Sequence, residues 1–210
     1  ETKGSKMRSD IFMQDDNFLN EIEILAVETG IWNCEFRYQP ETGSAEDGLS
    51  GVVGDNFGEF PMFVSGSNIP NALSQVQDIA NFVVSRFLDK HRFIIKEEIR
   101  ARSNMTFRSL DTRPSRPHVD VDKEHYVFLY YVNDSDGDTI LYDQISDRVT
   151  SYTQEDLTEF KRVSPKAGRA LLFSGNRFHS WNGPQDSYAR CVINMNLSLD
   201  ERSFNGREFN

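Results

Sequence analysis

The decisive stretch runs from Arg116 to Arg190. It opens Arg116-Pro-His118-Val-Asp120 and continues through Tyr126-Val-Phe-Leu-Tyr-Tyr131-Val and the turn Asn133-Asp-Ser-Asp-Gly-Asp138. It closes with Pro165-Lys-Ala-Gly168-Arg-Ala-Leu-Leu-Phe173-Ser, then His179-Ser-Trp181, then Arg190. On an extended segment the side chains of residues i and i+2 share a face. His118 and Asp120 can therefore grip one metal ion while Val119 points away. With His179 as a distal third ligand the set is two histidines and one carboxylate, which suits non-heme Fe(II) because half of the coordination positions stay open.

From residue 116 onward the pattern is strand, turn, strand. After Arg190 one face carries Cys191, Ile193, Met195, Leu197 and Leu199, and the other carries Arg190, Val192, Asn194 and Asn196. The apolar face is expected to pack against helices and the polar face to look into a wet interior. That arrangement fits a β-barrel or double-sheet jelly roll with helices outside.

The ordered set His118-x-Asp120, the Tyr130-Tyr131-Val-Asn133 strand end, Gly137-Asp-Thr139 with Tyr142, Pro165-x-x-Gly168-Arg169 with Phe173, His179 and Arg190 resembles the 2-oxoglutarate/Fe(II)-dependent oxygenases, and among them the prolyl-4-hydroxylase-like branch. The resemblance covers roughly residues 99–200. It implies a mainly β fold: a double-stranded β-helix (jelly roll, cupin-like) core with N-terminal helices packed outside. The expected organisation is one domain over residues 1–210, with helical and loop support in 1–98 and the core in 99–200.

The resemblance further implies that His118, Asp120 and His179 are the metal ligands. Arg190 is implied as the anchor of the distal carboxylate of 2-oxoglutarate, since a guanidinium binds a carboxylate through two parallel hydrogen bonds. Tyr131 is implied as an aid to cosubstrate binding. The cofactors that follow are Fe(II), 2-oxoglutarate and dioxygen, with ascorbate as a stimulant. The expected reaction is hydroxylation of a peptidyl, prolyl-type carbon, with a small metabolite or free amino acid as the alternative substrate. A metal-binding jelly-roll module without turnover is the non-enzymatic alternative. The chain departs from the family where a second tyrosine is expected before the first His: Phe107 and Arg108 stand there.

The remaining sequence is that of an ordinary globular chain. Its net charge of −10 argues against a nucleic-acid backbone as partner. No apolar run approaches the roughly 18 residues of a membrane helix, and the N-terminus lacks the apolar core of a signal peptide. Cys34 and Cys191 are too few for a disulfide framework and fit two free thiols in a reducing, cytoplasmic setting.

Upstream, Phe18, Leu19, Ile22, Leu25 and Ala26 recur at helical spacing, predicting a helix over about 17–28 that is capped by Asp15 or Asp16 and ends at Gly30. Residues 31–38 alternate loosely, as a strand does. The glycine-rich stretch 43–68 is expected to be either a surface loop or a lid. A helix is predicted from Pro70 to Leu88, with strand segments at 93–95 and 99–107 after it. A weak helix is predicted over 154–160. Asp136-Gly137 is expected in a hairpin turn, and His91 and His125 as surface or boundary histidines. Phe178 and Trp181 flank His179 as candidate pocket residues.

Overall fold

The structure, a computed structural model, describes residues 9–39, 52, 57, 61–66 and 73–204. Among the described residues ten strands form two antiparallel sheets. In chain order the elements are β1 (Phe12–Asp15), α1 (Glu21–Trp32), β2 (Arg37–Gln39), β3 (Met62–Gly66), α2 (Leu73–His91), β4 (Ile95–Phe107), β5 (Tyr126–Tyr131), β6 (Thr139–Ile145), β7 (Glu159–Val163), β8 (Ala170–Ser174), β9 (Arg177–Trp181) and β10 (Ala189–Leu199). The major sheet has the order β1-β8-β5-β10-β4-β3-β2 and the minor sheet β7-β6-β9. Single bridges Pro114↔Asn182 and His118↔His179 add the segment 114–118 to the free edge of β9.

The sheets face each other across Leu129, Tyr131, Leu171, Phe173 and Val192 of the major sheet and Leu141 and Val163 of the minor. This is the expected jelly-roll core. The alternation along β10 holds as well: Cys191, Ile193, Met195, Leu197 and Leu199 join the cluster that α2 buries with Val76, Ala80, Val83, Val84, Phe87 and Leu88. Long-range strand pairing of this kind makes the two sides of one strand answer to different solvents, one apolar and one polar.

Several local expectations are corrected. The first helix begins later and runs past Gly30 to Trp32. Its cap is Asn20, which accepts from the Glu23 N–H while Glu23 accepts from the Asn20 N–H, a capping box. Asp15 and Asp16 are drawn elsewhere: Asp15 pairs with Lys90 and His91, and Asp16 takes both ends of the Arg169 guanidinium. Gly30 is a contact point with α2, since a Cβ there would lie 2.8 Å from Ile79. Ile22 and Leu25 are exposed, whereas Val27 and Ile31 are buried. Of the predicted strand at 31–38, only the last residues enter a strand, β2.

Within 43–68, Met62–Gly66 is strand β3, paired to β4. Val52 and Phe57 are buried with Val119, Ile140 and Phe178 against the minor sheet, and the rest of the stretch that could form a lid lies outside the described residues. So does Pro70, the predicted start of α2. One continuous strand, β4, runs from Ile95 to Phe107; it takes in the segment expected at 99–107 and, of the one expected at 93–95, only Ile95. The predicted helix at 154–160 is a 3-10 turn over Gln154–Asp156 followed by β7.

The turn at 133–138 does not close a hairpin. It carries the chain from β5 in the major sheet to β6 in the minor, and Asp136 accepts from the backbone N–H groups of Gln185, Asp186 and Ser187. The sequence alternation there marks strands but not which sheet each joins.

His125 is buried, not a boundary residue. Its Nδ1 lies 2.7 Å from the Lys123 carbonyl, and its ring packs onto Gly175, whose N–H donates to the His125 carbonyl. A Cβ at Gly175 would fall 2.2 Å from His125 Nε2. Gly175→Ala is therefore expected to destabilise the fold by about 1–3 kcal/mol through overpacking, measured by urea unfolding; an unchanged midpoint would contradict this packing.

Candidate active site

His118 and His179 meet because their backbones pair. The His118 N–H donates to the His179 carbonyl at 3.0 Å and the His179 N–H to the His118 carbonyl at 3.1 Å. Residues directly opposite in an antiparallel pair present their side chains to the same face, and the two imidazoles lie 4.7 Å apart. Asp120, two residues beyond His118, joins them. The Nε2 atoms of His118 and His179 are 3.9 Å and 3.6 Å from the Asp120 carboxylate oxygens. The three ligand atoms all lie within 4.8 Å of one another, and the three residues form the one group of this kind among the described residues.

The donor set fits a divalent metal. Each imidazole has its Nδ1 3.1 Å from a backbone carbonyl, of Arg116 for His118 and of Arg177 for His179. Placing the ring proton there leaves Nε2 as a lone pair facing Asp120, which is how metal-binding histidines are usually oriented. Burial, followed by the nearby His179, pushes the His118 pKa down to about 4, so this ring is neutral at pH 7.

Burial alone would raise the Asp120 pKa. The Arg100 charge, then His179 and His118, overcome it and hold the carboxyl well below the usual range. Arg100 Nη2 donates to Asp120 Oδ1 at 2.8 Å, and Asn194 and Asn196 donate to Oδ2 at 3.2 Å and 3.0 Å. Arg102 stands 4.0 Å away.

A cavity opens beside this cluster. Its walls include His118, His179 and Trp181, the apolar Leu129, Phe173 and Val192, and Arg190 with Thr139. Arg190 is buried. Its Nε donates to the Gly137 carbonyl and its Nη2 to Thr139 Oγ1, both at 2.8 Å. Gly137 is needed for this approach, because a Cβ would sit 2.7 Å from the Asn182 carbonyl and 3.0 Å from Arg190 Cδ. Tyr131 lies beside Arg190 without being among the residues that line the cavity. The Arg190 guanidinium is 5.8 Å from its ring centre, and its hydroxyl donates to Thr139 Oγ1 at 2.7 Å.

The flanking aromatics separate. Trp181 lines the cavity edge-on to His118, while Phe178 is buried on the other face of β9. Phe107, half-exposed, packs on Phe63, and Arg108 bonds the Asp186 carbonyl and faces the Tyr188 ring.

Three polar residues of the site escaped the sequence reasoning, Arg100, Arg102 and Asn104 on β4, and Thr139 was read only as part of its turn motif. The signal was available as the alternation Arg100-Ala-Arg102-Ser-Asn104-Met-Thr106, which is polar at every second position. Cross-strand register places Arg100, Arg102 and Asn104 opposite Asn196, Asn194 and Val192.

No protein-family model and no curated protein matches the sequence. Solved structures do match. A Trichoplax adhaerens prolyl hydroxylase in complex with a hypoxia inducible factor oxygen degradation domain peptide is 16% identical with a TM-score of 0.52, covering 93% of this chain and 86% of that one. A Pseudomonas putida prolyl-4-hydroxylase is 12% identical with a TM-score of 0.51, covering 90% and 92%. HygX from Streptomyces hygroscopicus, with nickel, 2-oxoglutarate and hygromycin B bound, is 10% identical with a TM-score of 0.53, covering 90% and 83%. The likeness establishes that this chain has the fold of the 2-oxoglutarate/Fe(II) oxygenases, prolyl hydroxylases among them.

Arg100 is the nearest cation to a carboxylate that is itself buried. In metal-free protein at pH 7, Arg100→Leu is expected to cost about 3 kcal/mol, because a buried charge loses its partner. The Asp120 pKa is lowered in the folded state, so this stabilisation is present above the unfolded carboxyl pKa and fades as the pH falls through the folded value. Urea melts at pH 7 and pH 3 check both the size and the sign.

Proposed function

We propose that this protein is an Fe(II)- and 2-oxoglutarate-dependent oxygenase that hydroxylates a carbon of a polypeptide substrate. The observation that carries the reading is one cavity lined both by the two histidines of the His-Asp-His cluster and by the buried Arg190. A 2-oxo dicarboxylic acid has the matching shape, with a chelating end and a distal anion.

In this reading His118, Asp120 and His179 would hold the iron. Iron bound there, with 2-oxoglutarate and dioxygen, supplies the oxidising chemistry: one oxygen atom enters a substrate C–H bond and the other enters succinate as carbon dioxide leaves. The protein's share is orientation and shielding. Arg190 takes the distal carboxylate, held at a fixed angle by Gly137 and Thr139. Leu129, Phe173 and Val192 would give the cosubstrate apolar neighbours. Arg100, Asn194 and Asn196 fix the Asp120 carboxylate so that it does not swing away from the metal.

The polypeptide assignment is supported by the motif flanks around Tyr130-Tyr131-Val-Asn133 and Pro165-x-x-Gly168, and by the peptide bound to the Trichoplax neighbour. A small-molecule substrate is the second reading, favoured by the hygromycin B bound to HygX on the same fold.

Replacing His118, Asp120 or His179 with Ala is expected to abolish stoichiometric Mn(II) or Fe(II) binding in each case. Full metal content in all three variants would overturn the ligand assignment. Arg190→Ala is expected to raise the 2-oxoglutarate requirement at least tenfold, about 1.4 kcal/mol or more, with metal content intact. Arg190→Lys is expected to restore only part, since the planar fork is lost. A screen of peptides and metabolites for succinate release above the uncoupled rate decides between the two substrate readings.

A further inference from the structure

The first ligand of the cluster stands at the margin of a sheet. Segment 114–118 lies beyond β9 and is the outermost piece of the minor sheet among the described residues. Toward β9 it is well bonded: the Ser115 N–H donates to the Trp181 carbonyl at 2.8 Å, and His118 and His179 exchange both of their backbone bonds. An edge strand has no ladder on its other side. A ligand that must keep its angle to a metal needs a second support there.

Arg116 supplies one. Its Nη1 donates to the Val52 carbonyl at 2.9 Å, and its guanidinium lies over the Phe57 ring, 5.0 Å from the centroid, within cation–π range. Val52 and Phe57 are both buried. They share a cluster with Val119, the residue between His118 and Asp120, and with Ile140, Tyr142 and Phe178. Val52 also bridges to Tyr152. Two residues from far up the chain thus meet the ligand-bearing segment from outside the cavity, whose lining includes neither of them.

Arg116 is joined to the ligand as well. Its carbonyl lies 3.1 Å from His118 Nδ1, the contact that turns Nε2 toward Asp120. Pro117 stands between them, locks its own φ and disfavours a helical turn at Arg116. The backbone between the clamped arginine and the ring therefore has little freedom.

We propose that Arg116 is a positioning residue for the metal site: by clamping Val52 and Phe57 it holds its own carbonyl where His118 is oriented for the metal. The proposal rests on the reading of His118, Asp120 and His179 as metal ligands, and it gives the chain at residues 52 and 57 a part in metal binding.

The test is made on full-length protein by calorimetry with Mn(II) and by the visible absorption of bound Co(II). Arg116→Met removes the charge and the donor and keeps an apolar stem. It is expected to weaken Mn(II) binding roughly tenfold, as the loss of a ligand's orienting partner does, and to alter the Co(II) bands. Arg116→Lys keeps a cation and a donor and is expected to recover part of both. Phe57→Leu probes the same clamp without touching Arg116 and is expected to weaken binding by a smaller factor. The loss in the double variant is expected to fall short of the product of the two single losses, as for coupled residues. Val84→Ala, in the separate cluster under α2, reports general loosening and is expected to stay within about twofold of the unaltered protein, as a distant site should.

Unaltered Mn(II) affinity in Arg116→Met overturns the proposal. So does an equal loss in Val84→Ala, a lysine variant no better than the methionine one, or a double variant whose loss equals the product of the single losses. The unaltered protein separates the two failures. If it binds no Mn(II), the ligand reading falls and the proposal with it, whereas equal binding by it and by Arg116→Met removes the proposal alone.

Discussion

Two backbone hydrogen bonds between His118 and His179 are the constraint on which the site depends. They join segments that are far apart in the chain, and by pairing them directly opposite they aim both imidazoles at one point. Neither ring needs to search for the other, because the ladder has set the spacing. The cost of closing that long loop is met by the rest of the jelly roll, whose two sheets are already packed through Tyr131, Leu141, Phe173 and their neighbours. A cluster of side chains that would repel or compete in isolation is thereby held ready for a cation.

The same cluster shows how a buried carboxylate is kept ionised. Asp120 is almost fully buried, a position that would normally favour the neutral acid. It is surrounded by a guanidinium and two carboxamides, each donating to it. These donors all come from β4 and β10, which are adjacent in the major sheet, whereas the histidines belong to the minor sheet and the segment bonded to its edge. The site is thus assembled across the interior, with the acid's support on one wall and its fellow ligands on the other.

Much of this was legible in the sequence. The i, i+2 spacing of His118 and Asp120 and the two-residue period of β10 are direct consequences of strand geometry, so they translate into structure without loss. What failed was anything decided by a tertiary partner. Asp15 and Asp16 look like helix caps, but Lys90, His91 and Arg169 claim them, and Asn20 caps the helix instead. Asp136-Gly137 looks like a hairpin turn, but the strands on either side join different sheets. Gly30 looks like a stop signal, but it is where two helices touch. The strand that carries Arg100 and Arg102 was expected but their role was not, because alternation alone does not say which side of a sheet faces a cavity.

The pairing of β10 with β4 keeps one register from Ala189 to Asn196 and slips only between Asn196 and Leu197 and again between Ser198 and Leu199. Every β10 residue that faces the site falls in the unbroken part. A strand has just two sides, so adding one residue before Asn196 would turn Arg190 or Asn194 outward and bring cysteine or isoleucine into the cavity. Past Asn196 the ladder already absorbs extra length through its irregularities. Insertions and deletions in this strand are therefore unequal along its length: up to Asn196 they would exchange the inside of the cavity for the apolar face, while beyond it they would disturb only the packing of Leu197 and Leu199.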